Sequence, residues 1–360
     1  MAHITGADRA EANESGDPAR MRTSLACAAA VLLVAVAACS GDNDETGSGA
    51  TGSSTTSSSA TSSGSTATTA AGAPAVAPYL DIVSGSADVD AIYKATGQAS
   101  FVASFVVADS AGSCTPTWGG ETAIGDSTIK AEIDKITANG GKVIVATGGA
   151  TGTYLETACS ASELATAYEK ALDAAGSNYL DIDIEQTVTD ATVTTALATV
   201  QKARGTSVTL TLPVGGTEVG LTDAGIALLT SAKNAGLDVT VNAMTMNFSA
   251  TGDWGTALTT ATEAVKADVA SVWTGLSDTE IYDMLGVTPM IGVNNSGGTT
   301  MLANAKTLIA YAEQKGLGFV RFWSVNRDNG DCADGSVKSN CSGVSQDEYA
   351  FTSLFTGFTT

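Results

Sequence analysis

From residue 77 to the end of the chain, short apolar runs alternate with stretches whose apolar residues recur every three or four positions. Runs rich in β-branched and aromatic residues and bounded by turn formers read as strands; the longer period reads as helices packed by one face. Strands are predicted at residues 77–83, 101–107, 142–147, 179–185, 207–212, 238–246, 287–293 and 317–325. Helices are predicted at 88–96, 128–139, 160–175, 190–204, 222–235, 254–273, 300–315 and 347–358. Ser160 and Glu163 have the spacing of a capping box, and Gly236 and Gly316 follow their helices as C-terminal stops. Eight strands, each followed by a helix, predict an α/β fold with a parallel sheet. Eight units over residues 75–360 favour a closed (β/α)8 TIM barrel over an open doubly wound sheet. No G-x-G-x-x-G follows the first strand, which argues against a dinucleotide site.

The fourth strand, Asn178-Tyr-Leu-Asp-Ile-Asp-Ile-Glu185, alternates acidic and apolar residues. Asp181, Asp183 and Glu185 therefore share one face, and Leu180, Ile182 and Ile184 the other. Strand rise sets successive carboxylates about 6.5–7 Å apart. Like charges that close, in a poorly solvated site, raise at least one pKa, as acid–base chemistry requires. Barrel sites form at the C-terminal ends of strands, so Glu185 is the best placed to meet a substrate.

Charge and composition narrow the chemistry. The single histidine is His3, outside the predicted barrel, which removes Ser-His-Asp, Cys-His and histidine-metal chemistry. A net charge of −21 over the whole chain opposes nucleic-acid binding, whereas a neutral polysaccharide meets no electrostatic conflict. The reading requires no cofactor and no metal, and a monomer is expected. Residues 1–20 are polar and aperiodic, as an upstream mis-start would be, with Met21 as the true start. Residues 21–39 have the basic start, short apolar core and small residues of a signal peptide. Within them, Val36-Ala-Ala-Cys39 resembles a bacterial lipobox, which implies lipidation of Cys39 and an extracellular or cell-surface lipoprotein on a lipid anchor. Plain secretion is the alternative. Residues 40–74, mostly Ser, Thr, Gly and Ala, bury too little apolar surface to fold and form a tether. The folded part holds Cys114, Cys159, Cys332 and Cys341. An even count in an exported protein predicts two disulfides with three possible connectivities. Cys114–Cys159 and Cys332–Cys341 are favoured, because each pair falls in neighbouring or shared loops.

Leu-Asp-Ile-Asp-Ile-Glu185 resembles the D-G-x-D-x-D-x-E signature of glycoside hydrolase family 18, the chitinases and their relatives. Ala146-Thr-Gly148-Gly149 is similar to the family's S-x-G-G, and Met244-Thr-Met246-Asn247 stands where the family has M-x-Y-D, which implies substrate contacts at Gly148, Gly149, Met244, Met246 and Asn247. Trp323 matches the strand-eight tryptophan that floors the sugar site. The resemblance covers the whole predicted barrel and implies substrate-assisted retaining hydrolysis of β-1,4-linked N-acetylglucosamine, as in chitin. Glu185 would be the general acid, Asp183 the partner of the substrate's acetamido group, and Asp181 the residue tuning Asp183. Trp118 and Tyr79 are further candidates for sugar contact, with Asp81 on the same face as Tyr79. Trp254 and Trp273 fall at helical positions and are expected to pack in the outer layer.

The departures from the family are specific. Asn178 and Tyr179 replace the outermost Asp and the Gly of the signature, far from the chemistry. Met246 replaces a tyrosine that donates to the acetamido oxygen, and Asn247 an aspartate. Tyr79 or another hydroxyl could stand in for the lost donor, although the sequence does not show it. Two other readings remain open: a non-catalytic barrel that binds chitin-like glycans, and an endo-β-N-acetylglucosaminidase.

Overall fold

The computed structural model describes residues 72–360. The expected mis-start, signal peptide, Cys39 and nearly all of the tether lie outside the described residues. Eight parallel strands pair in chain order: β1 (Tyr79–Asp81), β2 (Phe101–Ala108), β3 (Val143–Gly148), β4 (Tyr179–Asp183), β5 (Ser207–Gly216), β6 (Val239–Met244), β7 (Leu285–Val287) and β8 (Phe319–Val320). The ring closes between β8 and the chain before β1. Val76 bridges Val320, the Val320 N–H donates to the Ala75 carbonyl at 2.8 Å, and the Tyr79 N–H to the Phe322 carbonyl at 3.0 Å. The predicted (β/α)8 barrel is the fold.

The outer helices are α1 (Val89–Thr96), α2 (Ser127–Ala138), α3 (Ala161–Ala175), α4 (Asp190–Arg204), α5 (Asp223–Asn234), α6 (Trp254–Val272), α7 (Leu302–Lys315) and α8 (Ala350–Thr356). Their boundaries follow local chemistry. Asp88 caps α1 by accepting from the Asp90 and Ala91 amides, and the Ser160 N–H donates to Glu163 at 3.0 Å, one arm of the predicted box. Outward-facing Leu180 and Ile182 of β4 and Leu210 and Leu212 of β5 pack with Leu164, Leu172, Val193 and Leu197 of α3 and α4. Burying side chains of this kind contributes about 1.5–3 kcal/mol each, before the ordering cost. Trp254 and Trp273 join this outer layer, as expected.

Each strand's limits differ from the pattern by one residue or more, β4, β7 and β5 among them. β4 stops at Asp183, so Glu185 stands two residues beyond the strand rather than at its end. β7 occupies Leu285–Val287, earlier than the predicted 287–293, because Pro289 has no N–H to continue the ladder. β5, by contrast, runs through Pro213, whose carbonyl accepts from the Thr222 N–H at 3.2 Å on the turn that follows.

Candidate active site

A cleft of about 700 Å³ opens at the C-terminal ends of the strands, with Tyr79, Asp183, Glu185, Met246 and Trp323 among its lining residues. The alternation of β4 fills it as expected. Ile182 and Ile184 face the helices, while Asp183 turns inward at the strand's last residue. Asp183 is buried, and its Oδ1 has no hydrogen-bond partner among the described residues. Burial first, then the charges of Glu185 and Asp181, push its carboxyl well above the usual range; Arg321 pulls the other way. Glu185 is exposed to the cleft, and desolvation by the surrounding walls raises its carboxyl as well. Two adjacent raised carboxyls that can hold one proton between them are suited to general acid–base work.

What holds Glu185 beyond the strand is a side chain from the loop after β3. The Glu185 N–H donates to Tyr154 Oη at 3.0 Å, and that hydroxyl donates to the Gly149 carbonyl at 2.5 Å. Burial raises the Tyr154 phenol, which keeps its proton on the donating side. Beneath the same loop, Glu156 is fully buried and accepts from Thr147 Oγ1 at 2.6 Å and Tyr168 Oη at 2.8 Å.

Deeper in the barrel Asp181 is enclosed by donors. Tyr79 Oη donates to its Oδ2 at 2.6 Å, and Thr211 Oγ1 to its Oδ1 at 2.6 Å. Arg321 of the segment after β8 pairs with Oδ1 at 3.0 Å, both side chains being almost fully buried. Asn242 donates to Tyr79 and Thr211, and Thr288 donates to Asn242. None of Arg321, Thr211, Asn242, Thr288 or Tyr154 was among the sequence candidates. A signal existed for some of them: Thr211 and Asn242 alternate with apolar neighbours, and Arg321 shares its face with Trp323.

Trp323 stands where predicted, stacked on Phe105 with ring centroids 5.6 Å apart and tilted against Tyr79 at 5.9 Å. Met244, Met246 and Met290 pack beside it. Met244, Met246 and Asn247 line the cleft as expected, and so do Tyr79 and Asp81. Asn247 is occupied by the loop after β7: its Oδ1 accepts from the Asn295 N–H at 2.9 Å and its carbonyl from Ser296 Oγ at 2.7 Å.

Three expectations need correction. Trp118 does not reach the cleft; it is fully buried in the outer core, with its indole N–H donating to the Ile124 carbonyl at 3.1 Å. Gly148 and Gly149 are packing residues rather than sugar contacts. A Cβ on Gly148 would strike the Asp183 carbonyl, and one on Gly149 the Phe105 ring, both at positive φ. Tyr79 cannot replace the missing donor at Met246, since its one hydroxyl proton goes to Asp181.

The disulfides pair as favoured, Cys114 with Cys159 and Cys332 with Cys341, with Cα atoms 5.0 and 6.0 Å apart. The second closes the loop after β8, and Val337, Lys338 and Ser339 of that loop form a wall of the cleft. Buried Arg327 ties this wall to its neighbour by donating to the Lys338, Ile291 and Val293 carbonyls.

The chain matches no protein-family model. It is 31% identical over 310 residues to a probable bifunctional chitinase/lysozyme of Escherichia coli (strain K12), covering 79% of this chain and 34% of that protein. It is also 31% identical over 277 residues to endochitinase 11 of Metarhizium anisopliae, covering 70% of this chain and 52% of that one. The chain thus spans about a third to a half of the length of these curated relatives. The catalytic domain of a hyperthermophilic chitinase from Pyrococcus furiosus superposes with a TM-score of 0.73 at 30% identity, over 79% of this chain and 95% of that domain. A fungal endo-β-N-acetylglucosaminidase of glycosyl hydrolase family 18 shares the fold, with a TM-score of 0.53 at 14% identity over 79% and 97% of the two chains. With the acidic strand, the barrel-mouth cleft and this similarity together, the chain belongs to glycoside hydrolase family 18.

Proposed function

We propose that this protein hydrolyses β-1,4-linked N-acetylglucosamine in chitin and its oligosaccharides by substrate-assisted, retaining catalysis. The observation that carries the reading is the Asp183–Glu185 pair in the cleft that Trp323 also lines: one carboxyl buried with its Oδ1 unpartnered, its neighbour open to the cleft. Glu185 protonates the leaving glycosidic oxygen while the substrate's own acetamido oxygen attacks the anomeric carbon. The C1–O bond breaks, and an oxazolinium ion forms. Asp183 accepts the acetamido N–H and balances the positive charge that develops there. Water, deprotonated by Glu185, then opens the ring with net retention. No separate enzymic nucleophile is needed, in contrast to the two-carboxylate scheme. Trp323 offers its face to the sugar.

The test is cleavage of a fluorogenic chitobioside. Glu185→Gln should lower turnover by about 10²–10⁴-fold, the usual worth of a general acid, with oligosaccharide binding retained. Binding by the wild type without turnover would support the glycan-binding alternative, which Met246 favours by removing a hydroxyl from the cleft wall. A first-formed α-anomer would exclude the retaining route.

We also infer that the barrel, residues 75–360, is exported and tethered to the cell surface through lipidated Cys39 and the segment 40–74, and works as a monomer. The N-terminal pattern and two disulfides support export. Cys39→Ser should release the protein into the medium; unchanged membrane retention would contradict the anchor.

A further inference from the structure

The hydroxyl and amide protons around Asp181 are already assigned, and only the Arg321 Nε–H lacks a partner among the described residues. The Thr288 hydroxyl gives its proton to Asn242 Oδ1, and the Asn242 amide gives one proton each to Thr211 Oγ1 and Tyr79 Oη. Those two hydroxyls, with one proton apiece, spend it on Asp181 at 2.6 Å. The 3.2 Å contact between Tyr79 Oη and Thr211 Oγ1 is left without a proton. Arg321 adds the third donor, at 3.0 Å, and anchors its other Nη to Thr209 Oγ1 at 3.2 Å. The guanidinium carbon also sits 4.7 Å over the Phe319 ring. Asp181 is thus an acceptor on both oxygens, with a buried cation beside it. A proton placed on it would have to displace one of these donors. Asp183, two residues on, has an Oδ1 with no partner at all among the described residues.

We propose that Arg321 is a positioning residue that pins Asp181 as an acceptor-only carboxylate and so confines the catalytic proton to Asp183 and Glu185. The inference rests on the substrate-assisted reading and adds one part to it: Asp181 acts on Asp183 through its charge and shares no proton with it. The groups acting on Asp183 are Glu185 and Asp181 from its own segment, Arg321 from the segment after β8, and Glu156 from the loop after β3. Asp183 and Asp181 also act on the phenol of Tyr79, on β1, whose proton burial holds in place. Arg321 is the one cation in this set.

The experiment is the pH profile of kcat/KM on a fluorogenic chitobioside, repeated as pH-dependent binding of a chitobiose-derived thiazoline. Arg321→Met should move the bell to higher pH by about one unit, as loss of a close opposite charge does, and Arg321→Lys should restore most of that shift. A residue that only filled space would lower the amplitude and leave the bell in place, and a superimposable Arg321→Met profile would overturn the proposal. Should Arg321→Met fail to fold, the pair can be removed together in Arg321→Met/Asp181→Asn, which leaves no uncompensated buried charge. Asp181→Asn alone should shift the bell to lower pH, and the double variant should bring it back. A double variant that stays with Asp181→Asn would equally overturn the proposal. A wild type that binds the thiazoline without turnover would sink the hydrolase reading but still report the shift.

Discussion

The backbone N–H of Glu185 donates to the hydroxyl of Tyr154 at 3.0 Å, although 31 residues separate them. β4 has already ended at Asp183, so this bond does for Glu185 what the ladder does for the residues before it. Through the Gly149 carbonyl, Tyr154 also fixes the turn that closes β3 against β4. Tyr154→Phe strips a partner from a backbone donor and frees the segment carrying the acid. We expect kcat on the chitobioside to fall about 10–100-fold, the scale of a 1 Å misplacement, with KM little changed. Steady-state kinetics check this, and an unchanged kcat would remove Tyr154 from the positioning scaffold.

Asp183 should make stability depend on pH in a definite direction. Its folded-state carboxyl is raised, so the favourable contribution of the protonated form is present at low pH and is lost as pH rises through the folded-state value. Asp183→Asn removes the buried charge. The variant should melt higher than the wild type at pH 7–8, and the gap should close on acidification. A shift of roughly 2–4 °C corresponds to each kcal/mol for a domain of about this size. Thermal melts from pH 4 to 8 decide it; a gap that widens in acid would contradict the assignment.

Two tryptophans should separate binding from folding. Trp323→Ala opens the cleft floor over Phe105 and should cut kcat/KM at least tenfold, about the 1–3 kcal/mol of a lost stacking face. Trp118→Ala leaves a void in the outer core and should cost about 3–5 kcal/mol of stability, with KM unchanged in whatever folds. Chemical denaturation and kinetics on both variants test the contrast. A raised KM in Trp118→Ala would return that residue to the site.

The disulfides should differ in what they support. Cys114–Cys159 spans 45 residues and Cys332–Cys341 spans 9. Loop-closure entropy assigns about 4 kcal/mol to the first and about 2.6 kcal/mol to the second. Replacing the first pair with serines should therefore lower the melting temperature more. Replacing the second should loosen the wall carrying Val337 and Lys338 and raise KM. Equal losses of stability with no change in KM would oppose both assignments.

The elements legible in the amino-acid sequence by itself are those set by neighbours in the chain. The eight strand–helix units follow from local periodicity, and their order leaves the parallel barrel as the closed solution. The face shared by Asp181, Asp183 and Glu185 follows from a two-residue repeat, and the disulfide pairs from shared loops. Local pattern fails where a residue's role depends on a partner far along the chain. Trp118 has the sequence setting of a loop aromatic, yet the outer layer closes over it. Gly148 and Gly149 resemble ligand-contact glycines, but the nearness of Asp183 and Phe105 explains them. Arg321 reads as one basic residue in an apolar strand. Only closure of the barrel brings it 3.0 Å from Asp181, across 140 residues of sequence. Strand alternation determines which way a side chain points; what it meets there is decided by the strands that tertiary folding places opposite.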